Sequence, residues 1–173
     1  MSRFVAIDFE TADHGRDSAC AVALVAVRDG IVTHAVHHLI RPPRRRILFT
    51  HIHGIRWVDV EHAPDFGALW PEIAPLVADA DFLAAHNAPF DRGVLEGCCA
   101  AHGLPSPGKQ FVCTVQAARR TWPHLPRHRL PDVCAHLGLE LEHHQALSDA
   151  RACADILLAA MTQGFKVETR LRA

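Results

Sequence analysis

From Ala19 to Val27 the chain reads ACAVALVAV, nine residues with no charge and no polar side chain beyond one thiol. A run this short cannot span a bilayer, which needs about 20 residues. An unbroken apolar run instead suits a strand covered on both faces. Asp29-Gly30 follows, a pair that favours the tight turn of a hairpin. Ile31 to Ile40 then alternates like a partnering strand. Upstream, Arg3 to Glu10 reads as another strand, with Val5, Ile7 and Phe9 on one face and Phe4, Ala6, Asp8 and Glu10 on the other. The chain therefore opens with three strands, and their apolar faces demand cover on both sides.

The later elements supply that cover. Phe66, Leu69, Ile73 and Val77 have helical spacing within Asp65 to Ala78, and Pro71 and Pro75 predict a helix that is short or starts late. Asp81 to His86 reads as a short strand. Asn87 is placed to cap a helix whose face is Phe90, Val94, Leu95 and Cys98, running to about Gly103. Phe111 to Cys113 is a short buried strand, and Thr114 is expected to cap a helix through Arg120. Trp122 to Arg129, rich in Pro and His, is a loop. Leu130 to Leu137 is a helix ended by Gly138, and Ala146 to Met161 is the clearest helix of all. The charged last residues are expected to fray. Strands and helices in this order predict an α/β fold with a mixed five-stranded sheet, antiparallel at first and parallel later, and helices on both faces.

A length of 173 residues fits one domain over 1–173. The formal net charge is −1, so nucleic-acid binding would need local basic patches and metal ions rather than a global field. The six cysteines lack a Cys-x-x-Cys pair and read as reduced thiols. Fourteen histidines without cysteine partners support a structural zinc site only weakly. No signal peptide or membrane span is evident, and a cytoplasmic protein is expected.

Asp8 and Glu10 are two residues apart on one strand face. Neighbouring carboxylates repel, which raises a pKa or calls for a cation. Asp91 falls in the first turn of one helix and Asp149 in that of another, with His144 in the connection just before. Alone, either aspartate is an ordinary helix-dipole residue, Asp-x-Glu an ordinary strand end, and His144 a surface histidine beside His143. Together, four hard oxygen donors suit two Mg²⁺ or Mn²⁺ ions, and a histidine of pKa near 6.5 suits proton transfer from water.

These residues sit in three motifs: Val5-Ala6-Ile7-Asp8-Phe9-Glu10-Thr11, Ala85-His86-Asn87-Ala88-Pro89-Phe90-Asp91, and His144 with Asp149 in HHQALSDARACA. In this order the chain resembles the DEDDh 3′→5′ exonucleases, the group that includes the proofreading epsilon subunit of bacterial DNA polymerase III. The His53-Gly54-Ile55 triplet resembles a further signature of that family. The resemblance covers residues 4 to 160 and implies a ribonuclease-H-like fold. It implies metal ligation by Asp8, Glu10, Asp91 and Asp149, with His144 as general base. It also implies that Thr11, His53, Gly54, Ile55 and Asn87 line or support the pocket of the 3′-terminal nucleotide. Gln145 stands where an acidic residue is expected in relatives.

The expected substrate is a single-stranded DNA or RNA 3′ end, with DNA favoured, and a polymerase is a possible partner in trans. An RNA-directed exonuclease of oligoribonuclease or RNase T type, and a silent nucleic-acid-binding subunit of the same fold, are the alternatives. Arg41, Arg44, Arg45, Arg46 and Arg56 form the first basic patch expected to touch a phosphate backbone; Arg119, Arg120, Arg127 and Arg129 form a second. Trp57, Trp70 and Trp122 could stack on bases, with the core favoured for Trp70.

Overall fold

A computed structural model describes residues 3–167. Three strands form an antiparallel meander, β1 (Arg3–Thr11), β2 (Ala19–Arg28) and β3 (Ile31–Leu39). β4 (Phe82–Ala85) pairs parallel with β1, and β5 (Phe111–Cys113) pairs parallel with β4. The sheet order is β3-β2-β1-β4-β5. This is the mixed sheet expected from the sequence. β1 is central, so its carboxyl end lies at the middle of the sheet edge where crossover folds place their sites. The terminal charged residues 168–173, expected to fray, lie outside the described residues.

Both faces of the sheet are covered, as the apolar run in β2 requires. Phe4, Ala6, Ala23 and Val25 pack with α5 (Thr114–Thr121), α6 (Leu130–Leu137) and α7 (Ala146–Thr162). Val5, Ile7, Phe9, Val22 and Leu24 pack with α3 (Phe66–Asp79) and α4 (Pro89–Ala101) on the other face. Two short helices, α1 (Thr50–His53) and α2 (Trp57–Val60), fall within the basic connection after β3. Among the described residues no helix is long and apolar enough to cross a membrane. All six cysteines are free thiols.

Three local expectations are corrected. α3 is one continuous 14-residue helix with Pro71 and Pro75 inside it. Both prolines are exposed and lie four residues apart on the solvent face, while Phe66, Leu69, Ile73 and Val77 are buried opposite. The carbonyls that lose an amide partner therefore face water, and packing of the apolar face outweighs the proline penalty. Asn87 is not the cap of α4. It takes φ 74°, a left-handed conformation that asparagine tolerates, and Ala88 is the cap residue. Thr114 begins α5 rather than capping it, because its hydroxyl is engaged with His86 at 2.9 Å.

If packing holds α3 together, Ile73→Ala lowers stability by about 3 kcal/mol. Pro71→Ala, on the wet face, raises it. Urea unfolding of the two variants checks both signs.

Candidate active site

Asp8 and Glu10 lie on the α7 face of β1 and pair in register with Ala23 and Ala21 of β2. The two alanines leave space beside the carboxylates. The register slips between Glu10 and Thr11, a bulge that ends regular pairing at the strand's carboxyl end. α7 crosses this face, and Asp149 is in its first turn. Ligand oxygens of Asp8, Glu10 and Asp149 lie within 4.8 Å of one another. Asp91, in the first turn of α4, sits behind them. It is buried, and its Oδ1 accepts the Phe9 amide at 3.0 Å.

Among the described residues no basic side chain pairs with Asp8, Glu10 or Asp91. Burial, then repulsion from Asp91, Asp149 and Glu10, drives the Asp8 carboxyl well above the ordinary carboxylate range. Burial and the charges of Asp149 and Asp91 push Glu10 up to about 8. Burial raises Asp91 to about 7 despite the Phe9 amide. Asp149 is also raised by burial, against the opposing pull of the His144 amide and His143. Asp149 Oδ1 is buried without a hydrogen-bond partner. An acid cluster with an unused buried oxygen is matched by divalent cations, whose charge would reverse each of these upward shifts.

Two histidines close the cluster. His144 has φ 69°, a strained conformation for a side chain of its size. The reversal brings consecutive rings to one side, and His143 and His144 stack with centroids 3.8 Å apart. His143 Nδ1 donates to Asp149 Oδ2 at 3.0 Å, and the His144 amide donates to the same oxygen at 3.1 Å. His143 is the residue sequence reading missed; its only signal was adjacency to His144. Burial and the neighbouring His143 lower the His144 pKa, so the ring is neutral and able to accept a proton near pH 7.

Two further histidines brace the walls. His53 Nε2–H donates to the Thr11 carbonyl at 3.2 Å, and its Nδ1 accepts the Ile55 amide at 3.1 Å. Burial lowers its pKa, in keeping with this neutral form. His86 belongs to the second motif, whose spacing assigns it no role. Its Nδ1 accepts from the Thr114 hydroxyl, and its Nε2–H donates to the His128 carbonyl at 3.1 Å. Burial pushes it down to about 4.

These groups border an open cleft of about 1120 Å³. Asp8, Glu10, Thr11, His53, Asn87, His144 and Asp149 line it, together with His143 and His86. Phe49, Ile52 and Phe90 add apolar surface, and Arg119, Arg127 and Arg129 add charge. Gly54 and Ile55 are not among the lining residues. Gly54 ends α1 with φ 78°, and Ile55 serves through its amide on His53. Gln145 borders a separate groove with Ala35, His37 and Leu147.

The first basic patch does not reach the cleft. Arg44 is clasped between Asp13 and Asp17, with Nε 2.6 Å from Asp13 Oδ2, and those hydrogen bonds raise its pKa further. Arg41 pairs with Asp65, Arg56 with Asp59, and Arg45 lies 5.8 Å over the Trp57 ring. The tryptophans are likewise placed elsewhere. Trp122 is core, Trp70 stacks on Phe66, and Trp57 donates from Nε1 to Glu61.

A mixed sheet carrying an acid cluster at the carboxyl end of its central strand suits metal-assisted phosphodiester hydrolysis, the chemistry of a nuclease. Residues 5–157 match the exonuclease family of the RNase T type, and the chain belongs to that family. It is 30% identical over 155 residues to exodeoxyribonuclease 10 of Escherichia coli K12, covering 85% of this chain and 64% of the relative. It is 37% identical over 94 residues to a PolC-type DNA polymerase III of Oceanobacillus iheyensis, covering 50% of this chain and 7% of the relative. The chain thus spans less than two thirds of both relatives. A solved structure of exonuclease X in complex with 5′ overhanging duplex DNA superposes with TM-score 0.75 at 29% identity, covering 98% of this chain and 96% of that one. The DEDDh resemblance of the motifs and the ribonuclease-H-like fold are thereby borne out, and exonucleases of this kind are metal-dependent.

Raised carboxyl pKa values destabilise the cation-free fold as pH rises. Glu10 goes from 4.5 to about 8 and Asp91 from 3.8 to about 7, so stability present below pH 4 is lost progressively up to pH 8. Urea midpoints in chelator should fall between pH 5 and pH 8, and millimolar Mn²⁺ at pH 8 should restore them. Asp8→Asn should lessen both effects.

Proposed function

We propose that this chain is a 3′→5′ exonuclease that hydrolyses single-stranded DNA from its 3′ end and releases nucleoside 5′-monophosphates. The convergence of Asp8, Glu10 and Asp149 within 4.8 Å, with Asp149 Oδ1 unpartnered, carries this reading. Asp8, Glu10, Asp91 and Asp149 form the set that would hold two Mg²⁺ or Mn²⁺ ions. Bound there, such ions supply a water of lowered pKa and neutralise charge developing at the phosphate.

The remaining work falls to the chain. His144, neutral and held at the rim by its backbone conformation, takes the proton of the attacking water. His143 orients Asp149 through one oxygen and leaves the other for a cation. Thr11, His53 and Asn87 border the space for the terminal nucleotide, and the fixed His53 tautomer holds the Thr11 backbone in place. Phe49, Ile52 and Phe90 offer apolar surface to bases. The names of exodeoxyribonuclease 10 and of the exonuclease X–DNA complex support DNA as substrate. The partial match to a PolC-type polymerase supports a polymerase context for its activity. Six free thiols support work in a reducing compartment such as the cytoplasm.

Strands of DNA and of RNA labelled at the 5′ end, digested with Mg²⁺ or Mn²⁺, test this. A ladder shortening from the 3′ end, faster for DNA, is expected. Faster loss of RNA would instead make the chain an RNA-directed exonuclease. Asp8→Ala and Asp149→Ala should abolish turnover, while His144→Ala should lower kcat by about 10² to 10⁴-fold. Turnover that survives Asp8→Ala overturns the two-metal reading.

A further inference from the structure

We propose that the end of α5 and the connection from it to α6, residues 119–129, form the wall that grips the phosphate backbone of the polynucleotide, with Arg119 and Arg127 as the contacting groups. The inference rests on the nuclease reading above and assigns the track that the substrate takes away from the acid cluster.

Charge placement is the first ground. Arg119 at the end of α5 and Arg127 in the connection line the cleft and are exposed. Among the described residues neither lies within ion-pair distance of a carboxylate, and Arg127 exerts only a Coulombic pull on Asp132, whose oxygens are held by Arg129. Every arginine of the other basic patch named above except Arg46 is engaged away from the cleft, as described, and Arg46 does not line it either. Arg129 also lines the cleft but is held by Asp132 at 2.8 Å. A polyanion entering a cleft with an acidic floor needs cationic groups on a wall, and neither of these two is clasped by a carboxylate.

Rigidity is the second ground. The connection is pinned at three points. The His86 ring holds the His128 carbonyl, and the His128 ring donates from Nε2 to the Trp122 carbonyl at 3.0 Å. The buried Trp122 indole donates to Gln163 at 3.1 Å. Behind His86, the buried Thr114 hydroxyl lies 3.8 Å from the Cys153 thiol of α7. The arginines are thus carried on a frame tied to β4, which also leads into the Asp91 helix. A solvated loop has no need of such ties. Arg119 and Arg127 therefore bind phosphates away from the scissile one, and His86 is a positioning residue for that wall.

The test compares Arg119→Ala/Arg127→Ala with Arg45→Ala/Arg46→Ala and wild type. Hydrolysis of a single-stranded oligodeoxynucleotide and of the p-nitrophenyl ester of thymidine 5′-monophosphate, which has no further phosphates, is measured against salt. Each lost phosphate contact should lower the slope of log affinity against log salt by about 0.7, so about 1.4 for the pair. KM for the oligomer should rise at least tenfold, with kcat and the ester reaction within twofold of wild type. Arg45→Ala/Arg46→Ala should match wild type. An unchanged slope and KM in Arg119→Ala/Arg127→Ala, with wild type active, overturns the inference alone. A fall confined to Arg45→Ala/Arg46→Ala does the same. Wild type inactive on both substrates overturns the nuclease reading and the inference with it.

Discussion

Carboxylates packed within 4.8 Å of one another at the end of a buried strand cannot all ionise in the protein alone. The surrounding structure serves this one constraint. β1 must be central for Asp8 and Glu10 to be enclosed from both sides, and β2 offers alanines where they need room. α4 and α7 direct their first turns, the ends that favour negative charge, toward the same place. The Phe9 amide steadies Asp91, and the His144 amide with the His143 ring steadies one oxygen of Asp149. These donors take some oxygens and leave others for cations.

The walls differ in chemistry because they come from different parts of the chain. The connection after β3 brings Phe49, Ile52 and His53, fixed by local hydrogen bonds within α1 and to Thr11. The connection after α5 brings arginines and is fixed through His86 from the sheet. An acidic floor between an apolar wall and a basic one suits a polymer whose bases and phosphates lie on opposite sides.

The succession of strands and helices and the acidic residues of the cluster were legible in the sequence because each leaves a local pattern. β2 is an apolar run, α7 has a helical stripe, and Asp8 and Glu10 share a strand parity. What was not legible depends on partners far along the chain. Arg44 sits in a run of cationic residues, yet Asp13 and Asp17 claim it across the fold. Thr114 has the composition of a cap, but His86 takes its hydroxyl. Pro71 and Pro75 break helices in isolation, while tertiary packing of the opposite face overrides them. His143 faces Asp149 only because His144 adopts a positive φ, which no spacing rule announces.

The order in which the acids occur has a consequence for folding. The β1–β2–β3 meander pairs neighbours in sequence and can form early, since short loops close readily. Asp8 and Glu10 belong to this local unit, whereas Asp91 and Asp149 come from helices much later in the chain. Only when α7 docks does the cluster gain its third close carboxylate and His144. A chain that has folded only this meander holds half of the acid cluster, so the sequence order makes the finished cluster depend on the last helix to dock.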